Sequence, residues 1–179
     1  PPAELGVASL HAHNGCGLGR GDAHGRERWN NALEAPLACR RIEGLETWQS
    51  GVASGRLFGG NLTILFTLAA SGRLRVPDGS ILVLEDVTES SYRLDRMLTA
   101  LAAAGPFDRA VAVVVGELPD CPIGPHRVAP EAAVRERLSH LSLPVVAGLG
   151  FGHGRRNEPL PLGLEARVEP GTLTLCPER

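Results

Sequence analysis

Ile81-Leu82-Val83-Leu84-Glu85-Asp86 is the stretch that decides the fold: four apolar residues in a row, stopped by two carboxylates. An apolar run this short, rich in branched side chains, reads as a strand buried on both faces. Glu85 and Asp86 then stand where that strand leaves the core, a common place for chemistry. Residues 110–115 repeat the pattern in a continuous valine-rich run, and residues 144–149 form a third short strand.

Helical patterns fill the gaps between these runs. The first begins near Gly60-Asn61, where Asn61 can cap free backbone N–H groups; Leu62, Leu65, Phe66 and Ala69 follow at helical spacing and Gly72 ends it. A second covers residues 90–104, with Leu94, Met97, Leu98 and Leu101 on one face and Gly105-Pro106 as the stop. A third starts at Pro130, a favoured first-turn residue, and runs to about residue 141. Short strands alternating with helices mark an α/β unit, with α+β as the other arrangement of the same elements. Two further strands between residues 160 and 175 are separated by a Pro170-Gly171 turn. The domain is expected over residues 41–179. Residues 1–40 are rich in His, Gly, Asn and Arg, carry one helix over 25–35 ended by Pro36, and read as a tail or linker.

The bulk composition narrows the function. In 179 residues, 43% are hydrophobic, enough for a real core, while a formal charge of -2 and 4% aromatics supply neither the basic field nor the stacking surface of a nucleic-acid binder. No stretch approaches the roughly 18 apolar residues of a membrane span, so the expectation is a soluble chain without membrane or nucleic-acid partners. Cys16, Cys39, Cys121 and Cys176 form no CxxC pair and are expected as free thiols, which fits a reducing, cytoplasmic setting. All 18 basic residues are arginine; without lysine there is no Schiff base, Ser-Lys dyad or P-loop amine.

His153 lies in Gly150-Phe151-Gly152-His153-Gly154, a glycine-rich loop leaving a strand, where an imidazole can accept and return a proton near neutral pH. Its glycines free the backbone and clear space around the ring. Glu85 and Asp86 can orient an imidazole, bind a divalent metal, or cap the next element. Glu89 reads as a helix-start acid. Gly59-Gly60-Asn61-Leu62-Thr63 reads as a tight turn whose backbone N–H groups can meet an anion. His11, His13, Cys16 and His24 match no common zinc spacing. The nearest approach to a GxSxG elbow, Gly51-Val52-Ala53-Ser54-Gly55, is offset by one, so a self-contained enzyme would have to use Ser54 or Cys16.

The order of Gly59-Gly60-Asn61-Leu62-Thr63, residues 81–89, Tyr92-Arg93-Leu94-Asp95-Arg96-Met97-Leu98, Phe151-Gly152-His153 and Leu160-Pro161-Leu162-Gly163 resembles the carboxy-terminal half of bacterial LD-carboxypeptidases, or muramoyltetrapeptide carboxypeptidases, whose relatives include microcin-immunity peptidases. The resemblance implies a compact swivelling β/β/α-type domain with about three helices. It also implies a Ser-His-Glu triad divided between two domains, with Glu85 as the acid, His153 as the base and the serine in a missing amino-terminal domain. The implied reaction is metal- and cofactor-free removal of the terminal D-alanine from a murein tetrapeptide, by a homodimer. The alternatives are a non-catalytic peptide-binding or dimerisation module, or a microcin-immunity-like peptidase.

Overall fold

The computed structural model describes residues 8–20, 23–124 and 127–176. In chain order it contains β1 (Ser9–His11), α1 (Gly15–Arg20), α2 (Ala23–Glu34), β2 (Arg40–Glu43), β3 (Glu46–Gln49), β4 (Ala53–Asn61), α3 (Leu62–Ala70), β5 (Ser80–Glu85), α4 (Ser91–Ala103), a 3-10 turn (Pro106–Arg109), β6 (Ala110–Val115), α5 (Pro130–Leu138), β7 (Val145–Ala147), β8 (Leu160–Leu162), β9 (Glu165–Glu169) and β10 (Thr172–Leu175). Strands β1 and β8 pair as a small ribbon; the other eight form one sheet in the order β2-β10-β9-β4-β5-β6-β7-β3. Its centre, β4 to β7, is parallel, and its flanks are antiparallel. The expected α/β class is the one observed.

The connection between the two edge strands fixes the shape of this sheet. A flat eight-stranded sheet holds its edges about 34 Å apart. Yet β2 and β3 are the two edges, and only Gly44-Leu45 joins them, a span of at most about 11 Å. The sheet is therefore rolled, and within the connection Leu45 N extends the β2–β10 ladder by donating to Gly171 O at 3.1 Å. Alternation along the strands then sorts side chains into two cores. Ile81 and Val83, Ala112 and Val114, Val146, Val168, Leu173 and Leu175 fill the inside of the roll. Leu82 and Leu84, Val113 and Val115, and Val145 face outward, where Leu65, Leu94, Leu98, Leu101, Val134 and Leu138 of the three helices cover them.

Strands β2, β3 and β4 were not foreseen. Gly59 and Gly60 read as a tight turn, but both are strand residues of β4, and at Gly59 the neighbouring β5 crowds the backbone. At Gly59, with φ +142°, a Cβ would lie 2.9 Å from Val83 N. α5 ends at Leu138, short of the expected 141. The segment before residue 41 packs on the domain: β1 pairs antiparallel with β8, His11 opposite Leu160.

If the roll is correct, an antiparallel flank strand carries core weight. Leu173→Ala in β10, wholly buried, is expected to cost about 2–5 kcal/mol in urea unfolding, whereas Ile64→Ala on the exposed face of α3 should cost under about 0.5 kcal/mol. Equal small effects would mean that β10 packs on nothing.

Candidate active site

The parallel strands β4, β5 and β6 all end on one side of the sheet, at Asn61, Glu85 and Val115. Carboxyl ends of parallel strands are where open backbone and ligand clefts collect. Alternation sends the two neighbouring carboxylates of β5 in opposite directions. Asp86 follows Leu82 and Leu84 to the helical side, where its Oδ2 accepts from Thr63 N at 3.0 Å and Thr63 Oγ1 at 2.9 Å, and its Oδ1 from Asn61 Nδ2 at 3.1 Å. Asn61 Oδ1 in turn accepts from Ile64 N at 3.1 Å. The anion expected at the start of α3 is thus the chain's own Asp86, and the Gly59-Gly60 turn is the end of a strand. Glu89 forms an i,i+4 ion pair with Arg93 at 2.7 Å across the start of α4.

Glu85 follows Ile81 and Val83 toward the inside of the roll, where its side chain is 0% exposed. It meets His153 there, 68 residues later, with Oε2 2.8 Å from Nδ1. Backbone bonds carried across three segments explain the meeting. Gly116 N donates to Leu84 O at 2.8 Å, and Glu117 N donates to Phe151 O at 3.0 Å, so the histidine loop runs beside the end of β6, which runs beside the end of β5. Phe151, fully buried, anchors the loop in the inner core.

The glycines around this contact serve the carboxylate more than the ring. A Cβ on Gly152, whose φ is +116°, would lie 2.9 Å from Glu85 Cβ, and one on Gly116 would lie 3.1 Å from the same atom. Side chains at either place would push Glu85 out of its niche. Burial raises the Glu85 carboxyl above its ordinary range, and the hydrogen bond and charge of His153 act against that shift. Its Oε1 is buried with no hydrogen-bond partner among the described residues. His153 itself is half exposed, at 50%. With Nδ1 engaged by the carboxylate, Nε2 is the nitrogen left for a reacting group.

The open side of His153 is a cleft of about 680 Å³, walled by the loop and by the stretch from His11 to Gly17. Sequence reading did not connect that stretch with His153. The His11 ring lies 4.4 Å from the Phe151 ring, tilted by 51°, and burial followed by the nearby His153 holds the His11 pKa below its ordinary value. Only the alternation of His11 and His13 on an extended segment hinted that both rings would share a face. Cys16 lines the same cleft, whereas Ser54 lies at the opposite end of β4, paired with Arg167. No serine among the described residues lines the cleft. Nor, among them, do three side chains of the metal-ligating types converge; the His24 side chain lies outside the described residues.

Burial of Glu85 has a thermodynamic signature. Its folded pKa is raised, so between the unfolded and folded values the native state holds the extra proton, and stability falls as pH rises through that window. Urea unfolding of the wild type from pH 4 to 8 should show this slope, and Glu85→Gln should lack it, the difference between the two growing with pH. Parallel pH profiles would mean that the carboxyl is not desolvated.

The model of the LD-carboxypeptidase C-terminal domain matches residues 54–168. A putative carboxypeptidase of Synechocystis sp. is 39% identical over 131 residues, covering 72% of this chain and 44% of that protein. The murein tetrapeptide carboxypeptidase of Pseudomonas aeruginosa is 39% identical over 116 residues, 64% of this chain and 38% of that protein. The crystal structure of muramoyltetrapeptide carboxypeptidase from Oxalobacter formigenes superposes with a TM-score of 0.82 at 28% identity, covering 97% of this chain and 63% of that one. The chain spans about half the length of the curated relatives it matches. Rolled sheet, helix layer and matched segment agree: this chain belongs to the LD-carboxypeptidase family and carries its C-terminal domain.

Proposed function

We propose that this chain supplies the acid and the base of a serine LD-carboxypeptidase that hydrolyses the bond to the terminal D-alanine of a murein tetrapeptide. The observation that carries the reading is the 2.8 Å contact between Glu85 Oε2 and His153 Nδ1 at the rim of an open cleft. An imidazole held at Nδ1 by a buried carboxylate presents Nε2 as a general base and gains stability when it becomes cationic. Residues 1–40 are read as the end of an upstream domain and its linker, and residues 41–179 as the domain that holds Glu85 and His153. The nucleophilic serine then comes from the upstream domain. The wider reading, by family resemblance, is a cytoplasmic homodimer; among the described residues no helix is long and apolar enough to cross a membrane.

In that reaction Nε2 of His153 takes the hydroxyl proton as the serine oxygen bonds to the peptide carbonyl carbon. The proton passes to the departing nitrogen as the C–N bond breaks, and D-alanine leaves with a neutral amine. His153 next takes a proton from water, whose oxygen bonds to the acyl carbon, and returns it to the serine oxygen as the ester opens. Throughout, Glu85 fixes the tautomer and stabilises the imidazolium. No metal enters these steps, and each proton removed is returned.

With this chain joined to its upstream segment, D-alanine release from a murein tetrapeptide should fall about 10³-fold or more in His153→Ala, with the far-UV circular dichroism unchanged. Retained turnover would end the proposal. Cys16→Ala should leave the rate within about twofold, because a thiol on the cleft wall has no part in the scheme; abolished turnover in that variant would move the nucleophile to Cys16.

A further inference from the structure

Four residues past the histidine, Asn157 is a buried polar residue in an otherwise open loop, 7% exposed and with φ +20°. Its Oδ1 accepts from Gly152 N at 3.3 Å, directly beside His153. Its Nδ2 lies 3.5 Å from Nδ1 of His13. The two contacts fix each other's chemistry. Because Oδ1 receives an N–H, the amino end of the amide faces the ring, and an amino group only donates; His13 Nδ1 is therefore an acceptor, with its proton on Nε2. The neighbouring residue ties the same loop from the other side. Glu158 N donates to Gly150 O, and the Glu158 carboxylate accepts from Arg40 Nη1 at 2.8 Å and forms an ion pair with Arg28, whose Nε lies 3.1 Å away.

We infer that Asn157 is a positioning residue: its amide holds the Gly152 backbone so that His153 reaches Glu85, and it links that loop to His13 in the segment before the domain. The inference rests on the reading of His153 as the base, but it concerns where the ring sits and is tested without turnover. Gly152 at φ +116° has wide backbone freedom, and a single buried acceptor on its N–H removes much of that freedom at the place where it would swing His153 away. A simpler role, in which Asn157 only tolerates an unusual backbone angle, makes a different prediction. Both Gly and Asp suit such an angle, but only Asp keeps an acceptor for Gly152 N.

The test is amide exchange and imidazole proton NMR on this chain as wild type, Asn157→Asp and Asn157→Gly. In Asn157→Asp, exchange of the Gly152 amide should stay within about twofold of wild type, and the downfield Nδ1 proton of His153, hydrogen-bonded to Glu85, should persist. In Asn157→Gly, the Gly152 amide should exchange about tenfold faster and the His153 Nδ1 signal should be lost, with β5 and β6 amides still protected. A Gly variant indistinguishable from wild type overturns the inference. So does an Asp variant that loses both signals, or a Gly variant that loses protection throughout the sheet. Failure of the wild type, joined to its upstream segment, to release D-alanine would end the hydrolase reading and leave these spectra unaffected.

Discussion

A carboxylate taken out of water needs a partner, and the site is organised around that need. Glu85 has no exposure and one described hydrogen-bond partner, the imidazole of His153, while its second oxygen has none. An unpaired buried charge of this kind is costly, so the pair is held together as much by what Glu85 lacks elsewhere as by what His153 offers. The same burial keeps competing donors away from the carboxylate, leaving the ring in one tautomer with Nε2 directed outward.

The rolled sheet makes this arrangement affordable in space. Its inner core gives Glu85 a dry floor of Ile81, Val83 and Phe151, and the parallel register of β4, β5 and β6 brings Asn61, Glu85 and Gly116 to one rim. Alternation then divides the work between adjacent carboxylates. Asp86 fastens the start of α3, which fixes the helical layer against the outer face, and Glu85 is free for the histidine. Of the three roles that the sequence left open for this acidic pair, contact with an imidazole falls to Glu85 and capping of the next element to Asp86.

The segment before the domain is more than a tether. β1 extends the fold by pairing with β8, His11 packs on Phe151, and Arg28 and Arg40 both reach Glu158 beside the histidine loop. These contacts fall on residues 151–162, the histidine loop and the strand that follows it. The loop that presents His153 is therefore shaped from below by the inner core of the rolled sheet and from the side by contacts from residues between 9 and 40.

Much of the parallel centre was legible in the residues themselves. Apolar runs at Ile81 and Ala110, and helical spacing from Leu62 and Leu94, determine their elements through side-chain periodicity, which is local. His153 stood out as an imidazole among glycines on a loop leaving a strand, whereas Glu85 was one of two open candidates until the family resemblance singled it out. The strands β2, β3 and β4 were hidden: β2 and β3 are four residues each without an apolar run, and Gly59 of β4 has the composition of a turn and becomes a strand residue where the Val83 backbone crowds it. Asn157 gave no readable signal and His11 only a faint one, its alternation with His13, since each acquires meaning from a partner far along the chain. The sequence by itself determined the apolar strands β5, β6 and β7, the helices α3 to α5, and which residues carry titratable chemistry. Only the tertiary structure decided that Glu85 and His153 meet, that Asp86 does not join them, and that the sheet closes on itself, because each depends on register and curvature, which are properties of how strands pair and not of any one strand.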